Sequence, residues 1–189
     1  MRPTFLVAAL LALAAGAASP AFADDVTDAI EQGRTAYSAG DLAKAKEALD
    51  LASQLIGRKN AETLGKLLPA ALPGWTADEV QIAAVGSVGA GASSASRRYE
   101  NAGGDQIEVQ MTGDSAVTAQ FAAMLSNPQV AGAMGKIVMV GGERALQSMD
   151  GDIHMVIANK CLVAVQGNGS VSDKLAYARA IDVATLSKM

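Results

Sequence analysis

The chain has 189 residues, a formal charge of −4, 50% hydrophobic but only 4% aromatic residues, one histidine and one cysteine. A mildly acidic balance with no basic cluster argues against nucleic acid and anionic lipid as partners. A single cysteine excludes an intrachain disulfide and a single histidine excludes a histidine-rich metal site.

Arg2, the apolar run 5–18, the helix break at Ser19-Pro20 and the small-residue pattern Ala21-Phe22-Ala23 together form a secretory signal peptide. Residues 1–23 are therefore expected to be cleaved after Ala23, leaving a periplasmic chain. The apolar run is shorter than the ~20 residues a membrane span needs, and no cysteine stands at the cleavage site to carry a lipid. No later stretch is long and apolar enough for stable membrane insertion. Loss of Arg2 with the leader takes the formal charge from −4 to −5. The remaining length suits one domain with an appendage. The division expected is a helical hairpin plus a short third helix over 24–72, and an antiparallel α+β domain over 73–189.

From residue 25 to 56 the apolar period is helical. Val26, Ile30, Gly33 and Tyr37 share one face of a first helix that ends at Ser38-Ala39-Gly40. Asp41 is placed to cap a second helix with Leu42, Ala45, Leu49, Ala52 and Ile56 on one face. Gly33, the Gly40-Asp41 turn, Ala45, Leu49 and Ala52 resemble the small and large positions of a tetratricopeptide repeat in order and spacing. Tyr37 stands one step late for that motif's aromatic position, where Ala36 is in register, and Gly57 replaces its terminal proline. Only one copy is present. The second helix also carries Ala48, Leu51 and Leu55 on another face, so these three are the expected partner surface, either for the sheet or for another protein. A third helix, capped by Asn60 and bearing Leu64, Leu67 and Leu68, leads to Pro69.

The segment LPAALPGW over 68–75 marks the boundary, with Pro and Gly where a type II turn wants them. Trp75, the only tryptophan, is read as a packing anchor beside that turn. Val80, Ile82 and Ala84 alternate as a first strand, and the small-residue loop 86–94 is read as a hairpin tip without phosphate-binding chemistry. Arg97, Arg98 and Tyr99 lie in a second strand and Ile107, Val109 and Met111 in a third. Asp114 is placed to cap a helix with Val117, Phe121, Met124 and Leu125 inward, and Asn127-Pro128 starts a short turn of helix that Gly135 ends.

Residues 136–167 are the centre of the fold. Gly141-Gly142, Asp150-Gly151 and Asn159-Lys160 cut them into a meander of four strands. If each dipeptide closes a two-residue hairpin, Ile137, Met139, Leu146, Ile153, Met155, Ile157, Leu162 and Ala164 share one face. Val138, Val140, Ala145, Gln147, His154, Val156, Cys161, Val163 and Val165 then share the other. Both faces are apolar and need covers. The helix after Asp114 and a terminal helix, capped near Ser172 with Leu175, Ala178 and Ile181 inward, are assigned to one face, and the N-terminal hairpin to part of the other.

Chemistry is sparse. His154 sits between Ile153 and Met155 with no G-x-S-x-G elbow to present a serine. Cys161 reads as a buried small hydrophobe, and Asp150-Gly151-Asp152 lacks the further ligands of a calcium loop. The methionines lack the close repetition of a copper(I) site. No catalytic residue, cofactor or metal site is expected. The segments LPAALPGW, SASRRY, AAMLSNP, IVMVGGERAL and AYARAIDVATL together resemble an uncharacterised family of small exported proteins of Gram-negative bacteria. That resemblance implies location and fold rather than activity. The expected function is a non-enzymatic interaction or scaffold protein with a protein partner in the cell envelope. The alternative is a binding module for a small apolar ligand in a Met- and Val-lined cavity between sheet and helices.

Overall fold

The computed structural model describes residues 24–84, 93–113 and 116–189, so the signal-peptide reading, the 86–92 part of the small-residue loop and the Asp114 cap lie outside the described residues. The described residues form an α+β fold, with helices at the N-terminus followed by an antiparallel sheet carrying further helices.

The chain opens with α1 (Asp25–Ser38) and α2 (Leu42–Leu67). Asp24 caps α1 by accepting from the Val26 and Thr27 amides. Gly40, at φ +78°, reverses the chain: its amide donates to Tyr37 O (3.0 Å) and the Asp41 amide to Ala36 O (3.0 Å). This is the paired-bond termination that a left-handed glycine permits. Asp41 then caps α2 by accepting from Lys44 N.

Two sequence expectations are corrected in the hairpin. First, α2 runs unbroken through Gly57 and Asn60, so the separate third helix does not exist. A glycine inside a helix costs only about 1 kcal/mol, and the helix-forming residues around it, with the Arg58–Glu62 pair one turn apart, carry the helix through. Second, the inward stripes contain the small residues alone. Ala29 and Gly33 of α1 and Ala45, Ala48 and Ala52 of α2 are buried, whereas Ile30, Tyr37, Leu42, Leu49 and Ile56 are exposed. Two helices meeting through Gly and Ala approach too closely for large side chains to stay between them. A Cβ at Gly33 would already lie 3.0 Å from Leu49 Cγ. Lys59 closes the far end of the hairpin through an ion pair to Asp24 (2.7 Å).

The body is one antiparallel sheet. Its strands are β1 (Trp75–Ala77), β2 (Gln81–Ala84), β3 (Ser93–Asn101), β4 (Gln106–Gly113), β5 (Gly135–Val140), β6 (Glu143–Ser148), β7 (Ile153–Ile157) and β8 (Cys161–Gly167). The order is β1-β3-β4-β8-β7-β6-β5, with β2 also pairing β3. The four-strand meander is present, and Gly141-Gly142 closes a two-residue hairpin opposite Val140 and Glu143. The other two turns are longer than expected. Gln147 pairs Ile153 around a loop closed by Ser148 N–H donating to Asp152 O (2.8 Å), and Ile157 pairs Cys161 around 158–160. Each shifts the register by one residue, and a one-residue shift turns a strand over. Strand β7 is therefore inverted relative to expectation, while β5, β6 and β8 keep their relative facing. Ile153, Met155 and Ile157 join Val138, Val140, Ala145, Cys161, Val163 and Val165, and His154 and Val156 face the other way with Ile137, Leu146 and Leu162.

The first face forms the main core, with Tyr99, Ile107, Val109, Met111, Ile153, Met155, Val163 and Val165 essentially sealed from solvent. Its covers are the C-terminal half of α2, through Leu64 and the cap residue Leu68, together with α5 (Val171–Arg179) and α6 (Val183–Leu186), through Tyr177, Ala178, Leu186 and the intervening Ile181. The terminal helix thus shares a face with α2 rather than with the helix after Asp114. Its cap is Ser170, which accepts from Asp173 N. The second face carries α3 (Ala116–Ser126), joined through α4 (Pro128–Met134) to β5. The inward stripe of α3 is Thr118, Phe121, Ala122 and Leu125; Val117 points to solvent. Ala122 sits over Leu146 and Val156 with Leu125 and Phe121.

Candidate functional site

The side chains best equipped for chemistry are engaged in holding the fold. Two tyrosines fasten the 68–75 segment: Tyr99 donates its hydroxyl to Pro69 O (2.7 Å), and the Tyr177 hydroxyl accepts from Leu72 N (3.3 Å). Their rings stack at 4.3 Å between centroids, and Trp75 meets Tyr177 edge-on at 5.6 Å. Trp75 is half-buried at the border of the main core, in a strand paired with the end of β3. Burial raises the pKa of both phenols above the ordinary tyrosine value, so both stay protonated, Tyr99 as a donor and Tyr177 as an acceptor.

Lys174 of α5 is buried and serves the β6–β7 turn, with Nζ 2.7 Å from Asp152 Oδ1 and 3.3 Å from Asp150 O. That turn, which resembled a fragment of a calcium loop, is occupied by an ammonium group. His154 is half-buried beside Phe121 at 5.4 Å; burial lowers its pKa, with the nearby Asp152 charge opposing. Cys161 is buried in β8 and its thiol donates to Leu162 O (3.9 Å). A pocket of about 90 Å³ beside it is lined by Leu64, Ser93, Leu186 and Met189 among others. That is far below the ~300 Å³ at which small-molecule sites begin. Met111 and Met155 are core residues, while Met134, Met139 and Met149 are exposed. Among the described residues, no group of three or more His, Cys, Asp or Glu is placed to hold a metal ion.

An open concavity of about 740 Å³ lies on the hairpin, between α1 and α2. Its apolar lining includes Ala36, Ala39, Ala48 and Leu51, and its rim carries Asp28, Glu31, Asp41 and Glu47 beside Lys44. Two of the carboxylates are already paired. Arg34 hydrogen-bonds Glu31 (2.5 Å), and Lys44 lies 3.0 Å from Asp41. The Glu31 pKa is lowered by the Arg34 hydrogen bond, and that of Asp41 by the Lys44 amide and then its side chain. Asp28 and Glu47 have no ion-pair partner among the described residues. The result is an open apolar floor with net negative charge above it.

Of the three residues expected to form a partner surface, Ala48 is buried in the helix seam and touches the groove only as floor. Leu51 is exposed on the groove wall, and Leu55, one turn on, is half-buried. They do share one flank of α2. The carboxylate rim is not visible in the sequence because it is assembled from two helices, Asp28 and Glu31 from α1 and Glu47 from α2 beside the cap residue Asp41. The row Leu42, Leu49 and Ile56, expected on one face with Ala45 and Ala52, is exposed instead, because only the alanines of that face fit between the two helices.

Comparison with family models, curated proteins and solved structures finds no match. Among the described residues, no helix is long and apolar enough to cross a membrane.

Proposed function

We propose that the protein is an exported, non-enzymatic interaction or scaffold protein of the periplasm, whose α1–α2 groove receives a cationic segment of a protein partner in the cell envelope. The observation that carries this reading is the groove itself: Leu51 and three alanines line it, and Asp28 and Glu47 stand on its rim without ion-pair partners among the described residues. An amphipathic basic segment satisfies both halves, burying apolar atoms on the floor while its Lys or Arg side chains meet the rim. The leader pattern of residues 1–23 supports export, and the hairpin's spacing resembles one tetratricopeptide unit, a scaffold for such contacts. The engagement of Tyr99, Tyr177, Lys174 and Asp152 in structural bonds supports a non-enzymatic role.

The test is capture from envelope extracts by the purified protein, compared with Glu47→Lys and Leu51→Glu variants whose far-UV circular dichroism matches wild type. The expected outcome is a loss of about tenfold in apparent affinity for each, corresponding to ~1.4 kcal/mol, and wild-type capture that weakens as salt rises. Capture indifferent to both substitutions and to salt would remove the groove from the function.

A further inference from the structure

The flank of the hairpin opposite the groove has a different chemistry. Ile30 (46% exposed) and Tyr37 (69%) of α1 stand beside Leu42 (66%), Leu49 (51%) and Ile56 (45%) of α2. The two rows are adjacent, because Leu49 packs against the backbone of Gly33, which lies between Ile30 and Tyr37. On a helix, residues seven apart drift by only about 20°, so Ile30 and Tyr37 form one straight row and Leu42, Leu49 and Ile56 another. A seven-residue apolar row on each of two neighbouring helices is the surface that another pair of helices packs against.

We infer that this ridge is the interface of a two-fold dimer, in which the hairpins of two copies pack face to face and antiparallel as a four-helix bundle. Size, charge and shape favour a second copy as the occupant.

Taking roughly 200 Å² for a large side chain, a value set by the aromatic ones, the five exposures leave at most about 550 Å² of largely apolar surface in one ridge. Homodimer interfaces are about 65% apolar, so the matching footprint is up to roughly 850 Å² per copy. A stable interface uses about 800 Å² per partner.

Charge selects this flank over the other. The cations bordering the ridge are neutralised within their own helices, Arg34 by Glu31 and Lys46 by Asp50. Two ridges therefore meet without a like-charge penalty. The groove flank keeps two carboxylates, Asp28 and Glu47, without ion-pair partners among the described residues, and would bring them against those of its own copy.

Shape sets the direction. The side chains nearest the Gly40 turn, Tyr37 and Leu42, are the most exposed, and those at the far end, Ile30 and Ile56, the least. An antiparallel two-fold at the level of Leu49 and Gly33 lays Leu42 over Ile56 of the other copy and Tyr37 over its Ile30, so that the most exposed side chains of each copy cover the least exposed of the other. It also sends the two sheet bodies to opposite ends of the bundle. Such an interface is isologous and closes at two copies. It leaves both acidic grooves facing outward, and it does not depend on what those grooves bind.

The experiment uses protein purified from cells expressing the full chain. Sedimentation velocity is expected to give a dimer for wild type and for Leu51→Glu, on the groove flank, and a monomer for Leu49→Glu. In a Cys161→Ala background, Leu49→Cys is expected to form a disulfide-linked dimer with itself on mild oxidation. Leu42→Cys and Ile56→Cys are expected to cross-link when mixed but not singly. If Leu49→Glu loses its helical spectrum, the cysteine pairs decide. A monomeric wild type overturns the inference, as does a dimer lost equally in Leu51→Glu. A Leu49→Cys protein that does not self-link while the dimer persists also overturns it. A monomer that loses envelope capture in Leu49→Glu would assign the ridge to a helical segment of another protein. A groove insensitive to Glu47→Lys would leave the dimer standing.

Discussion

The hairpin and the sheet body draw on similar apolar residues and use them in opposite ways. In the body the large side chains are inside: Tyr99, Ile107, Met111, Ile153, Met155 and Tyr177 lose nearly all contact with solvent. In the outer hairpin the alanines and Gly33 are inside, and Leu42, Leu49, Ile56, Ile30 and Tyr37 are left out. Geometry accounts for the difference. A sheet sends alternate residues to opposite faces about 10 Å from the next layer, which leaves room for a full side chain. Helices meeting through Gly and Ala close that gap. The body is thus stabilised by burial, whereas the hairpin holds together by close backbone approach and keeps its larger apolar surface available.

The same chemical change should therefore have very different consequences in the two regions, and the largest is expected in the body. Gly167 ends β8 at φ +134°, and a Cβ there would collide with the carbonyl of Gln106 on the neighbouring strand. Gly167→Ala combines a disfavoured backbone conformation with a backbone clash. It is expected to lower the unfolding free energy by about 3 kcal/mol or more, read as a fall in the urea midpoint. A loss below about 1 kcal/mol would mean that the β4–β8 end yields easily, weakening the contrast.

A smaller effect is expected where the hairpin's long helix joins the body. Tyr99→Phe keeps the ring stack with Tyr177 but leaves the buried Pro69 carbonyl without its donor. The cost at neutral pH is expected to be about 1–3 kcal/mol. Burial raises the folded-state pKa of Tyr99 above the unfolded value of 10.0. Above pH 10 the unfolded chain therefore releases a proton that the folded chain keeps, and wild type loses stability as pH rises. Phenylalanine has no such proton, so the gap between the two proteins is expected to narrow above pH 10. Urea titrations at pH 7 and above pH 10 check this; a constant gap would assign the alkaline loss to other groups, Tyr177 first.

How much of this was legible depended on whether local residues or distant partners decided the outcome. The meander was readable because Gly141-Gly142, Gly151 and Asn159 sit where the backbone takes positive φ. The facing of β7 was not, because Ser148 with Asp152, and Ala158 at φ +51°, make turns longer than the dipeptides suggest. Strand β1 is three residues long and exists through its pairing with the end of β3, so it has no period to read. In the hairpin the apolar positions were visible, but their roles depended on how close the helices come. The groove needed both helices in place before its carboxylates could be seen to converge.

The smallest effect is expected for a glycine in the hairpin. Gly33 is helical and buried against α2, and an added methyl would lie 3.0 Å from Leu49 Cγ and 3.1 Å from its Cδ2. Those atoms end a half-exposed side chain that can turn outward, whereas the obstacle at Gly167 is backbone. Alanine also gains about 1 kcal/mol of helix propensity over glycine, which offsets the crowding. Gly33→Ala is therefore expected to change stability by less than about 1 kcal/mol in either direction, measured in the same urea titration as Gly167→Ala. The displaced Leu49 would move further into the ridge, so an altered sedimentation coefficient with unchanged stability would separate the hairpin's surface from its own packing. A loss as large as that of Gly167→Ala would show instead that the helix seam is as intolerant as the sheet, and that the outward Leu and Ile side chains are a by-product of a rigid seam.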